Sequence, residues 1–176
     1  MVTLVIGGAA SGKSEFAESL VLKNDILPRW YIATMQPFDD ECRERLRRHR
    51  KMRAEKQFET IECFTGLEKV TIPEKGVVLL ECMSNLTANE LYSPDGAGAY
   101  TMEAISRGID YLIQQCTDLI IVSNEVFSGG TDYQGDTLHY LRTLAAVNRI
   151  LASKADRVYE IVCGIPVWHK GEERKG

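Results

Sequence analysis

Gly7-Gly8-Ala9-Ala10-Ser11-Gly12-Lys13-Ser14 fills every position of the pattern G-x-x-x-x-G-K-[ST], and its flanks decide what the match means. Before it, Val2-Thr3-Leu4-Val5-Ile6 is a β-branched apolar run that reads as a buried strand. After it, Phe16, Leu20 and Val21 recur at helical spacing. Strand, glycine-rich turn and helix in that order make a phosphate-binding loop. The glycines let the backbone turn tightly, so that successive N–H groups point inward, and the helix N-terminus adds positive potential. Lys13 then reaches the β- and γ-phosphates of a nucleotide, and the Ser14 hydroxyl is a ligand for Mg²⁺.

Working outward, residues 29–34 read as a second strand and residues 39–54 as a charged helix. Asp39, Asp40 and Glu41 at its start suit the positive end of the helix dipole. Residues 58–63 form a further strand. Val77-Val78-Leu79-Leu80-Glu81-Cys82 has the unbroken apolar character of a parallel strand buried on both faces. Helices are expected over 85–91, 100–116 and 135–154, with strands over 119–123 and 157–163. Strands alternating with helices imply right-handed crossovers. The expected fold is therefore α/β: a P-loop NTPase, RecA-like, with three layers and a mostly parallel central sheet. Residues 1–169 read as a single nucleotide-binding catalytic domain, and residues 170–176 as a frayed tail.

The chain of 176 residues is 44% apolar and 26% charged, with a net charge of −4. That balance fits one globular domain and argues against a general nucleic-acid binder. Cys42, Cys63, Cys82, Cys116 and Cys163 stand singly, with neither a disulfide framework nor a zinc pattern among them. They read as reduced thiols of a cytoplasmic protein. The sequence shows no signal peptide, and no run approaches the roughly 20 apolar residues of a membrane span.

Two further features carry chemistry. Glu81 ends the most apolar strand, where such sheets deliver ligand-facing residues. It can hold Mg²⁺, pair with the ring N–H and amino group of guanine, or simply face water. Arg45-Leu46-Arg47-Arg48-His49-Arg50-Lys51-Met52-Arg53 places one histidine among cations, which favour its neutral, nucleophilic form. The arginines can neutralise a polyphosphate. Taken alone, a basic helix of this kind is usually a solvated face.

The ordered set GGAASGKS, YIAT, D-D-E-x-x-x-R-L-x-x-H-R, LLEC followed by SNLTANEL, SNEV and VNRILASKADRVYEIVCGIPV resembles the bifunctional adenosylcobinamide kinase/adenosylcobinamide-phosphate guanylyltransferase family of cobalamin biosynthesis. The resemblance runs from about Leu4 to Val167. It implies phosphorylation of adenosylcobinamide by ATP or GTP, then attachment of GMP from GTP through a guanylyl-histidine, matched here by His49. It implies further that Ala33, Thr34, Met35, Arg50, Lys51, Met52, Arg53 and Glu62 belong to the nucleotide site, and that the chain is a homo-oligomer, a trimer. Glu62 has an exposed strand-end reading beside this one.

Three departures from the family pattern stand out: Ala10 where many members carry arginine, no proline after His49, and Phe127 to Tyr133 in place of G-x-G-I-V-P. Two other readings compete, a small-molecule kinase that leaves His49 idle and a nucleotide-dependent switch. Asn124 and Glu125 are candidates for a base, a metal partner or a turn. His139 and His169 read as structural or exposed, and Trp30 and Trp168 as packing or lying at a subunit contact.

Overall fold

The computed structural model describes residues 1–23, 25–37, 43–44, 47, 51, 54–126 and 133–171. Seven strands form one sheet: β1 (Val2–Gly7), β2 (Arg29–Ala33), β3 (Phe58–Glu62), β4 (Val77–Glu81), β5 (Asp118–Asn124), β6 (Arg157–Val162) and β7 (Ile165–Lys170). Their order across the sheet is β3-β2-β4-β5-β1-β6-β7. Every neighbouring pair is parallel except β6 and β7.

Strand periodicity sorts the core into two layers. Val5, Tyr31, Leu79, Val122 and Tyr159 pack with Ala17 and Val21 of α1 (Lys13–Lys23). Leu4, Ile32, Leu80 and Ile121 pack on the opposite face with three helices. These are α2 (Met83–Tyr92), α3 (Thr101–Gln115) and α4 (Gly135–Lys154). Leu79 and Leu80, both fully buried, face opposite helical layers, which is why this strand reads as a continuous apolar run. The three-layer α/β architecture is as the sequence indicates.

Two expectations need correction. The last strand is β7 rather than β6, and Lys170, assigned above to a frayed tail, is its final residue. The Lys170 ammonium donates to the carbonyls of Ala152 and Ser153 at the end of α4, at 3.0 and 3.1 Å. Those carbonyls are the unsatisfied acceptors of a helix C-terminus, so a cation there is favourable. Residues 172–176 lie outside the described residues, as do residues 127–132 and most of the segment expected as a helix over 39–54.

No helix among the described residues is long and apolar enough to cross a membrane.

Candidate active site

β1 ends at Gly7, flanked in register by Asn124 of β5 and Ile161 of β6. The loop then doubles back before α1 begins. A Cβ on Gly7 would lie 2.5 Å from Ser11 Oγ and 2.8 Å from the Ile161 carbonyl oxygen, so only glycine fits. Gly12 has φ +89°, a left-handed backbone that favours glycine. Gly8, Ala9 and Ala10 form the outer turn, with Ala9 and Ala10 exposed.

The loop is braced from two sides. Glu125 N–H donates to Gly7 O at 3.0 Å, and Gly164 N–H, in the turn between β6 and β7, donates to Ser11 O at 2.9 Å. Lys13, buried at 9% exposure, folds back on the loop and donates to Gly8 O at 3.0 Å.

Ser14 lies in the first turn of α1, and Glu81 at the carboxyl end of β4. Because β4 alternates, Val77, Leu79 and Glu81 share the face that α1 covers. The Ser14 hydroxyl donates to Glu81 Oε1 at 2.5 Å, and the Tyr31 hydroxyl on β2 donates to Glu81 Oε2 at 3.0 Å. Ser14 and Tyr31 thus each engage one oxygen of the carboxylate. A serine hydroxyl beside a carboxylate is an oxygen donor set suited to a hard divalent cation that keeps waters and takes phosphate oxygens. Among the described residues no group of three or more His, Cys, Asp or Glu side chains converges as an all-protein metal site.

Thr34, which the resemblance assigns to the nucleotide site, is tied into the protein by each of its polar groups. It is fully buried. Its amide donates to Glu81 O at 3.2 Å. Its hydroxyl accepts from Cys82 N–H and donates to Cys82 O, both at 2.8 Å, and its carbonyl accepts from Asn89 Nδ2 at 2.8 Å. Thr34 thus fastens the end of β2 to the Glu81–Cys82 peptide, which is cis. Ala33 is buried, and its carbonyl accepts from Cys63 N–H at 2.9 Å. Met35 is half-buried.

Glu62 is exposed at the end of β3. It pairs in register with Ala33, which pairs on its other side with Glu81. The sheet therefore brings Glu62, Ala33 and Glu81 abreast along one edge, with the two carboxylates two strands apart. Lys51 is exposed, whereas His49, Arg50, Met52 and Arg53 lie outside the described residues.

Asn124 ties strand to helix: its side-chain amide donates to Ser84 Oγ at 2.6 Å, and its carbonyl accepts from Asn148 Nδ2 at 3.1 Å. Trp30 is buried and donates to Glu74 O at 2.9 Å. Trp168 meets Tyr159 edge-on at 4.6 Å, His169 pairs with Glu160 at 2.8 Å, and His139 is exposed. Cys63, Cys82, Cys116 and Cys163 are free thiols. Burial, reinforced by Glu90, pushes Cys63 up to about 11, and burial likewise takes Cys116 to about 11.

Sequence reasoning passed over Tyr31. The signal available was a phenol two residues before Ala33, hence on the same strand face.

Among solved structures, the KaiC-like protein PH0186 from Pyrococcus horikoshii OT3 matches with a TM-score of 0.51 at 10% identity, over 90% of this chain and 69% of that one. A second solved structure, an ATPase domain, matches with a TM-score of 0.50 at 12% identity, over 90% and 68%. These likenesses concern the fold. Closer in sequence is the bifunctional adenosylcobalamin biosynthesis protein CobU of Escherichia coli (strain K12). It is 36% identical over 181 residues, covering 95% of this chain and 98% of the relative. The corresponding CobU of Salmonella typhimurium (strain LT2) is 33% identical over the same shares. CobP of Pseudomonas aeruginosa is 29% identical over 98% and 99%. The model of the family described as cobinamide kinase / cobinamide phosphate guanyltransferase matches residues 3–168. With that match spanning nearly the whole chain, the protein belongs to the cobinamide kinase / cobinamide phosphate guanyltransferase family.

Proposed function

We propose that this protein phosphorylates adenosylcobinamide with ATP or GTP and then transfers GMP from GTP to the phosphate it has made. The observation that carries the reading is the Ser14–Glu81 pair beneath a complete phosphate loop, in a chain that belongs to this family. In the first reaction the loop N–H groups and Lys13 bind the triphosphate. Lys13 leaves the Gly8 carbonyl to do so. The substrate hydroxyl then attacks the γ-phosphorus, with positioning and charge neutralisation supplying most of the rate. Ser14 and Glu81 hold Mg²⁺, which when bound neutralises charge on the phosphate oxygens.

In the second reaction His49 attacks the α-phosphorus of GTP. A P–N bond forms as the P–O bond to pyrophosphate breaks, and the substrate phosphate then displaces the imidazole. Arg50, Lys51, Met52 and Arg53 line the path of this nucleotide, and Glu62, exposed at the end of β3, is the carboxylate for guanine. The enzyme works in the cytoplasm as a homotrimer, residues 1–170 acting as one catalytic domain.

The test is incubation with Mg²⁺ and GTP labelled at the α-phosphate, followed by denaturation and intact-mass measurement. An acid-labile GMP adduct, absent from His49→Ala, is the expected result. Intact nucleotide binding with no adduct would remove the covalent route and leave a kinase alone.

A further inference from the structure

Glu81 is held at both oxygens, yet only one of its partners belongs to the phosphate loop. The other, Tyr31, stands on β2, on the far side of β4 from the β5 and β1 strands that lead to the loop. Tyr31 is buried at 7% exposure, and its ring meets Phe58 of β3 edge-on at 6.2 Å with an interplanar angle of 86°. Its hydroxyl reaches Glu81 Oε2 at 3.0 Å. A ring fixed in the sheet layer thereby delivers a rigid donor to a carboxylate whose other oxygen faces α1.

We propose that Tyr31 is a positioning residue for the cation side of the nucleotide site: it fixes the rotation of the Glu81 carboxylate, so that Oε1 stays on Ser14 and the pair is set before metal–nucleotide arrives. The proposal rests on the reading of Ser14 and Glu81 as the cation-side pair. Without the phenol, the carboxylate turns about its last bond, and either oxygen swings from Ser14 toward Tyr31's place. Partners that orient the groups at a metal site typically change metal affinity by about tenfold or more when removed. Phosphate binding itself, carried by the loop N–H groups and Lys13, does not pass through Tyr31.

The test is Tyr31→Phe, which keeps the ring and removes only the oxygen. The readout is free Mn²⁺, followed by electron paramagnetic resonance as Mn²⁺ is titrated into protein bound to a β,γ-imido analogue of GTP. Mn²⁺ affinity is expected to fall about tenfold, while the analogue binds without metal as it does to the unaltered protein. Glu81→Gln and Ser14→Ala serve as references. In the Tyr31→Phe/Glu81→Gln double variant the loss should match that of Glu81→Gln alone, because Tyr31 acts through Glu81. Unchanged Mn²⁺ affinity in Tyr31→Phe with weakened binding in Glu81→Gln would overturn the role of Tyr31 and leave the cation-side pair standing. Unchanged affinity in all three single variants would overturn both. A lowered melting temperature in Tyr31→Phe with unaltered Mn²⁺ binding would mark the phenol as structural and likewise overturn the proposal.

Discussion

The Ser14 hydroxyl meets Glu81 Oε1 at 2.5 Å although β5 separates the strand that leads into Ser14 from the strand that ends in Glu81. The pair is therefore a property of the whole sheet edge rather than of one motif. Glu81→Gln keeps the volume and removes the charge. It should lower kcat for phosphoryl transfer by about a hundredfold and leave metal-free nucleotide binding unchanged. Steady-state kinetics beside equilibrium binding of a fluorescent GTP analogue separates the two effects.

Adjacent glycines in the loop should differ sharply. A methyl on Gly7 meets Ser11 Oγ and the Ile161 carbonyl, whereas one on Gly8 meets nothing within 4 Å. Gly7→Ala should cost about 1–3 kcal/mol of stability, and Gly8→Ala should melt like the parent. Chemical denaturation of the nucleotide-free protein checks this; equal losses in the two variants would refute it.

Thr34→Val removes a buried hydroxyl that serves both the N–H and the carbonyl of Cys82. Leaving those groups unpaired should cost about 1–3 kcal/mol and reduce kcat through displacement of Glu81. Thr34→Ser, which retains the hydroxyl, should restore most of both. A Thr34→Val protein with unaltered denaturation midpoint and kcat would show that the tie is dispensable.

Stability should decline in alkali. The Cys63 and Cys116 thiols are raised from 9.0 to about 11, chiefly by burial, so between these values the unfolded chain has released protons that the folded chain retains. The unfolded state then binds fewer protons, and unfolding free energy falls as pH rises through that window. Denaturation midpoints at pH 8 and pH 10.5 should differ less in a Cys63→Ala/Cys116→Ala variant than in the parent.

The two nucleotide-dependent steps should also separate genetically. His49→Ala is expected to keep cobinamide-dependent consumption of ATP while losing pyrophosphate release from GTP, each measured by coupled assay. Loss of both would tie the histidine to the first reaction.

The phosphate loop was legible because its chemistry is local: eight consecutive residues with a strand before and a helix after. Glu81 was legible from its place at the end of an apolar run. Its partners were not, since Ser14 and Tyr31 arrive from α1 and β2. The ties of Thr34 were hidden for a related reason: only the parallel pairing of β2 with β4 turns its polar groups toward Glu81 and Cys82. β7 escaped notice because Ile165-Pro166-Val167-Trp168-His169-Lys170 mixes exposed apolar residues with a proline, as an edge strand can. Its entry turn did carry a sign in Gly164, whose φ is +80°.

The strand order also governs when in folding the site comes into being. Ser14 and Glu81 face each other only after β4, β5 and β1 have paired side by side, and these are pairings between distant segments of the chain. Contacts of that range form slowly and late. Metal-bound nucleotide, which needs that pair, is therefore expected to favour the finished sheet over its precursors. It should slow unfolding without hastening refolding, a clamp on the native state rather than a template for reaching it.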